Sequence, residues 1–108
     1  MHRFAAGGVA GIAVGDFDGD GKLDLATSNA SAGTVSVLLG KGDGTFHPKA
    51  DFATGAEPVA IVAADFNLDG KLDLAVSEYG AYTVGVLLGN GDGTFQPAQH
   101  FDTDAQPD

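Results

Sequence analysis

The stretch Asp16-Phe17-Asp18-Gly19-Asp20-Gly21-Lys22-Leu23-Asp24-Leu25-Ala26 returns later in the chain as Asp65-Phe66-Asn67-Leu68-Asp69-Gly70-Lys71-Leu72-Asp73-Leu74-Ala75, at an offset of 49 residues. The same offset relates residues 42–46 (GDGTF) to residues 91–95, Pro48 to Pro97 and Phe52 to Phe101. From Ile12 to Val59, 28 of 48 positions are identical to their partners. A fixed period of this kind means a repeated structural unit. The 108 residues are thus two units of 49 and ten more.

One unit reads as four short strands. Residues 9–17 (VAGIAVGDF) are a nearly all-apolar run, which predicts a strand buried on both faces. Residues 23–28 form a second strand. Residues 34–39 (TVSVLL) alternate, which puts Val35, Val37 and Leu39 on one face. Residues 40–44 are a glycine-rich hairpin turn, and residues 45–52 a fourth, outer strand. That strand carries Pro48, which an edge strand tolerates and a central strand does not. No helical period runs through the chain. Four antiparallel strands in about 50 residues describe a β-propeller blade. The expected fold class is therefore all-β, with two four-stranded antiparallel blades. An N-terminal segment covers residues 1–8, the first blade residues 9–57, and the second blade residues 58–108 with a C-terminal connector.

Composition agrees with short strands and tight turns. Glycine occurs 17 times, and 13 of the 15 acidic residues are Asp, leaving only Glu57 and Glu78. Long helices disfavour both Gly and Asp, whereas turns use them. Five basic residues give a net charge of −10, which disfavours a nucleic-acid or anionic-membrane partner and favours cations. With no Cys, disulfides, thiolate metal sites and a Cys nucleophile are excluded. No apolar run approaches the ~20 residues of a membrane-spanning helix. The stretch from Phe4 to Gly15 has the look of a signal peptide, but it is poor in Leu and its second half recurs inside the chain. It is read as structure, not as an address.

The chemistry lies in the two Asp-rich loops. Oxygen side chains stand at positions 1, 3, 5 and 9 of each nine-residue loop, with Gly at position 6: Asp16, Asp18, Asp20 and Asp24, then Asp65, Asn67, Asp69 and Asp73. Calcium takes six to eight hard oxygens from a flexible loop, and alternate residues of a curling loop turn toward one centre. The carbonyls of Lys22 and Lys71 at position 7 are available as further ligands, and water completes the shell. Magnesium, with stricter geometry, fits less well. An EF-hand is excluded, because its twelfth position needs Glu where this chain has Thr27 and Val76. Seven of the fifteen acids fall in these two loops and would repel one another without a cation.

These motifs resemble the FG-GAP/VCBS repeat family. The resemblance rests on DFDGDGKLDLA and LLGKGDGTF in the first unit and DFNLDGKLDLA and LLGNGDGTF in the second. Gly55-Ala56-Glu57-Pro58 is similar to the GAP element, and Asp104-Ala105-Gln106-Pro107 is a degenerate copy. The resemblance implies a propeller fold, about one calcium ion per blade held by the loop residues already named, and an extracellular or cell-surface setting; the family's polysaccharide lyases resemble this chain only in their propeller scaffold, and with no base or nucleophile standing out here no enzymatic activity is expected. The chain departs from the family's pattern in having two repeats only.

Other signals are weaker. His2, His47 and His100 share no metal-ligand spacing and are expected to be exposed edge residues. No Ser-His-Asp order stands out, and the GKGDG turn lacks the phosphate-loop spacing. The repeats differ most at Asn29-Ala30-Ser31 against Glu78-Tyr79-Gly80 and at Gly33 against Tyr82. Tyr79 and Tyr82 are candidates to stack on a sugar ring, the basis of an alternative, lectin-like reading.

Closed propellers have about four to eight blades, and two blades leave two apolar faces open. The chain is therefore expected to act as a structural or interaction scaffold that self-assembles into a ring. Three or four copies would complete six or eight blades. His2-Arg3-Phe4 would imitate the end of an outer strand, and residues 102–108 the connector into a next blade.

Overall fold

The computed structural model describes residues 9–79 and 82–102. Eight strands run in chain order: β1 (Val9–Gly15), β2 (Asp24–Asn29), β3 (Thr34–Leu38), β4 (Ala50–Ala53), β5 (Pro58–Ala64), β6 (Asp73–Glu78), β7 (Thr83–Leu87) and β8 (Gln99–Asp102). They form two four-stranded sheets in the orders β1-β2-β3-β4 and β5-β6-β7-β8, with neighbouring strands antiparallel throughout. The described residues contain no helix. The all-β expectation holds, and each sheet has the up-and-down order of a propeller blade.

Register decides which residues share a face. In the first sheet, Ala13 stands opposite Ala26, which pairs with Val37, and Ser28 pairs with Val35, which pairs with Phe52. This face turns to the second sheet. The Ser28 hydroxyl donates to the Val59 carbonyl at 2.6 Å, and a side chain at Gly11 would collide with that same carbonyl. The second sheet answers with Ile61, Val76, Leu74 and Leu87, which share its facing side. Together with Phe17, Phe95 and the small residues between them these form one buried core cluster. Phe95 receives two edge-to-face ring contacts from the first unit, at 5.7 Å from Phe17 and 5.4 Å from Phe52.

Two expectations change. β1 is not buried on both faces, since Ile12 and Val14 are more than half exposed. They sit on the side turned away from the second sheet, where nothing among the described residues covers them. The fourth strand is shorter than residues 45–52. Phe46 makes an isolated bridge to Gly40, and the strand resumes only at Ala50. Pro48 lies in the gap, where its missing N–H interrupts no ladder. The expected roles of His2-Arg3-Phe4 and of the 104–107 segment fall outside the described residues.

Candidate metal centre

The first Asp-rich loop joins β1 to β2 and is folded by its own carboxylates. Asp16 accepts the N–H groups of Gly19, Asp20 and Gly21 at 2.9, 3.2 and 2.8 Å. Asp20 accepts that of Lys22 at 2.9 Å. The curl requires positive φ at Gly21 (80°), which glycine adopts without a Cβ penalty. The N–H of Gly21, opposed by desolvation, leads the interactions that hold the Asp16 carboxyl below its usual range.

Asp24, the first residue of β2, has no exposed surface. Its two oxygens accept from the Phe17 N–H at 2.8 Å and the Gly40 N–H at 2.7 Å. One carboxylate thus ties the loop, β2 and the segment after β3 together. Asp73 repeats this with Phe66 at 3.0 Å and Gly89 at 2.8 Å. Sequence reasoning assigned these two residues to metal ligation alone. The structure gives them a second, architectural task, because a fully buried carboxylate must be hydrogen-bonded.

Carboxylate oxygens of Asp16, Asp18 and Asp24 lie within 4.8 Å of one another. Asp18 Oδ1 is buried with no hydrogen-bond partner. Burial, then the neighbouring carboxylates Asp20, Asp24 and Asp16, push the Asp18 carboxyl up to about 6. A buried acceptor without a donor is costly. An oxygen-seeking cation among these three carboxylates would satisfy it, so the residues present fit calcium. Asp20 sits beside Asp18, with its carboxylate also engaged by the Lys22 N–H. Lys22 itself is exposed, its aliphatic stem lying along Gly42.

The second loop follows the same plan with one neutral position. Asp65 accepts from Asp69 and Gly70 at 3.1 and 2.7 Å, and Asp69 from Lys71 at 2.9 Å. Asn67, with its amide nitrogen turned inward, donates to Asp65 Oδ1 at 3.1 Å and Asp69 Oδ1 at 3.0 Å. Its amide thus links the two acids. Leu68 takes the place of Gly19 and is held at φ 59°, a left-handed conformation that Leu disfavours, with its side chain almost fully exposed. Lys71, like Lys22, is exposed and lies along a turn glycine, Gly91.

Tyr79 and Tyr82 flank the β6–β7 connection and are exposed. A cleft of about 440 Å³ between the sheets is lined instead by Phe52, Thr54, Gln96, Pro97 and His100 among others.

One polar site was missed by sequence reasoning. Glu78 has no exposed surface. It accepts from the Gly55 N–H at 2.6 Å, the Thr83 hydroxyl at 2.7 Å and His100 Nδ1 at 2.8 Å. His100 is therefore not a bare edge residue but the partner of a buried acid. In the first sheet the matching positions hold a different chain: Asn29 donates to Thr34 and to Ser36, and Ser36 to Asp51, at 3.0, 2.7 and 2.6 Å. Gly85 replaces Ser36 because a side chain there would collide with the Glu78 carboxylate. The signal was present as three linked differences between the repeats: Asn29 to Glu78, Ser36 to Gly85 and Asp51 to His100.

A family model described as FG-GAP-like repeat matches residues 16–76, more than half of the chain. No curated protein and no solved structure matches it.

Proposed function

The chain belongs to the FG-GAP-like repeat family, and from that premise we propose that it is a calcium-binding, propeller-type repeat module serving as a non-enzymatic structural and interaction scaffold in an extracellular or cell-surface setting. The observation that carries the calcium reading is the buried Asp18 Oδ1, without a donor, inside a triad of carboxylates. Calcium suits it better than magnesium because the Asp16 and Asp24 oxygens around it also accept backbone N–H groups and are not arranged as the strict octahedron that magnesium demands. The scaffold reading follows from where the loop stands. Phe17, within the loop, packs on Phe95 of the second sheet, so an ion that fixes the loop also fixes the contact between the sheets.

Titration calorimetry with calcium, repeated on Asp18→Asn, tests this. Binding with a clear preference over magnesium, lost or much weakened in the variant, supports it. Absence of binding in the parent chain rejects it. A lectin-like reading draws on the cleft between the sheets and on the exposed Tyr79 and Tyr82. A glycan array addresses it directly.

A further inference from the structure

The residues exposed on the outer sides of the two sheets are the repeat images of those buried between them. Phe17 is 3% exposed, and its counterpart Phe66 is 49% exposed. Ile61 is 9% exposed, and its counterpart Ile12 is 53% exposed. Leu72 packs against Gly15 and is partly buried, whereas Leu23 is exposed. Phe52 joins the core, whereas Phe101 is exposed. The outer side of the second sheet thus carries Val62, Val84, Val86, Phe66 and Phe101 in the places where the first sheet presents Ala13, Val35, Val37, Phe17 and Phe52 to its neighbour. The outer side of the first sheet carries Ile12, Val14, Leu23 and Leu25 in the places of Ile61, Ala63, Leu72 and Leu74.

We propose that these two outer faces are the halves of one interface, and that the second sheet of one chain docks on the first sheet of a second copy as the two sheets dock within the chain. This rests on the propeller-module reading above and names its partner. A second copy is the occupant because the interface already present supplies the match: most apolar positions of both faces recur at the repeat offset, with Val76 becoming Thr27 and the Glu78, Gly85 and His100 cluster becoming Asn29, Ser36 and Asp51. Such a contact is head to tail, and it closes into a ring when the rotation per copy fits.

The partner copy would also complete a loop. Within the chain, the Gly93 N–H donates to the Phe17 carbonyl at 3.1 Å, tying the first Asp-rich loop to the second sheet's glycine-rich turn. At the repeat offset, Gly44 of the second copy meets the carbonyl of Phe66 in the second Asp-rich loop. A further difference shapes the fit. Gly11, which lets the Val59 carbonyl of β5 approach β1, and Gly15, against which Leu72 packs, are Ala60 and Ala64 in the second sheet, so the inner strands of two copies stand slightly farther apart. The charge of −10 per chain opposes association, and cations in the loops reduce it.

Because the interface is heterologous, paired variants decide the matter. Ile12→Asp spoils the first sheet's outer face and Phe101→Asp the second's. Both side chains are already exposed, and circular dichroism checks that both variants fold. Sedimentation in calcium should show the parent chain as a closed species, each variant alone as a monomer, and an equimolar mixture as a one-to-one dimer joined by the two intact faces. A monomeric parent chain, a variant that assembles like the parent, or a mixture that stays monomeric overturns the proposal. A monomer that still binds calcium overturns the docking and leaves the calcium reading standing. A ring whose melting ignores chelator does the reverse.

Discussion

The Gly93 N–H donates to the Phe17 carbonyl at 3.1 Å, joining the turn of one repeat to the Asp-rich loop of the other. The loop is therefore part of the contact between sheets and not an appendage on one of them. Metal binding, packing of the sheets and stability should change together.

Chelation should lower the melting temperature beyond any ionic-strength effect. A ligand that binds only the folded chain stabilises it by about 2.7 kcal/mol at a hundredfold excess over Kd. Scanning calorimetry in calcium and in EDTA measures the difference, and coincident melts would rule out a stabilising ion.

The two loops should bind unequally. The first offers four carboxylates and the second three, with the Asn67 amide already bonded to Asp65 and Asp69. More ligand charge gives tighter calcium binding at matched rigidity. Asn67→Asp should tighten the second site and destabilise the calcium-free chain, because two hydrogen bonds become two like-charge contacts. Calorimetry finding the second site tighter in the parent chain would reverse the ranking.

Equivalent phenylalanines should respond differently to truncation. Phe17→Ala removes a buried ring from the core and should cost about 3–5 kcal/mol in denaturant unfolding. Phe66→Ala, on an outer face, should cost the isolated chain far less and act mainly on association. Equal losses under monomeric conditions would contradict the assignment of faces.

Gly85→Ala should destabilise by about 1–3 kcal/mol, since the new methyl group meets the Glu78 carboxylate. Adding Glu78→Asn and His100→Asp to a Gly85→Ser background transplants the first sheet's Asn-Ser-Asp network and should recover much of the loss. Thermal melts of the single and triple variants compare the two; a triple variant less stable than Gly85→Ser alone would show that the network is not portable.

Acid should act in two opposed phases on the calcium-free chain. The Asp18 carboxyl is pushed up to about 6 by burial and its acidic neighbours, so the folded chain takes up a proton before the unfolded chain does. Stability should therefore rise as pH falls from above 6 toward the ordinary carboxylate range near ~4. Glu78 runs the other way. Burial raises its pKa, but hydrogen bonds from His100, Thr83 and Gly55, with the charge of His100, outweigh burial and leave it lowered. Asp51 is lowered chiefly by its bond to Lys49 and then to Ser36. These contributions are present above the unfolded value and lost as pH falls through the folded one. Melting temperature should pass through a maximum on the acid side of neutrality, and Asp18→Asn should remove the rising limb.

The sequence by itself determined the period, the strands, the turns and the loops. Each of these rests on interactions a few residues long: alternation in Val35 and Val37, the Asx-type bonds of Asp16 and Asp20, and the positive φ that Gly21 supplies. It could not determine burial. Phe17 and Phe66 stand in nearly the same local sequence, yet one is buried and the other half exposed. The difference is the neighbour: Phe95 covers Phe17, and no residue among those described does the same for Phe66. Likewise Asp24 shows in the sequence only as the ninth position of a loop, while its bond to Gly40 spans 16 residues. The Glu78 network joins four distant positions, of which only the differences between repeats were legible. Local propensity writes the same strand twice. What each copy buries depends on the surface that meets it, because the hydrophobic effect acts on area removed from water, and that area is defined only once the sheets have packed.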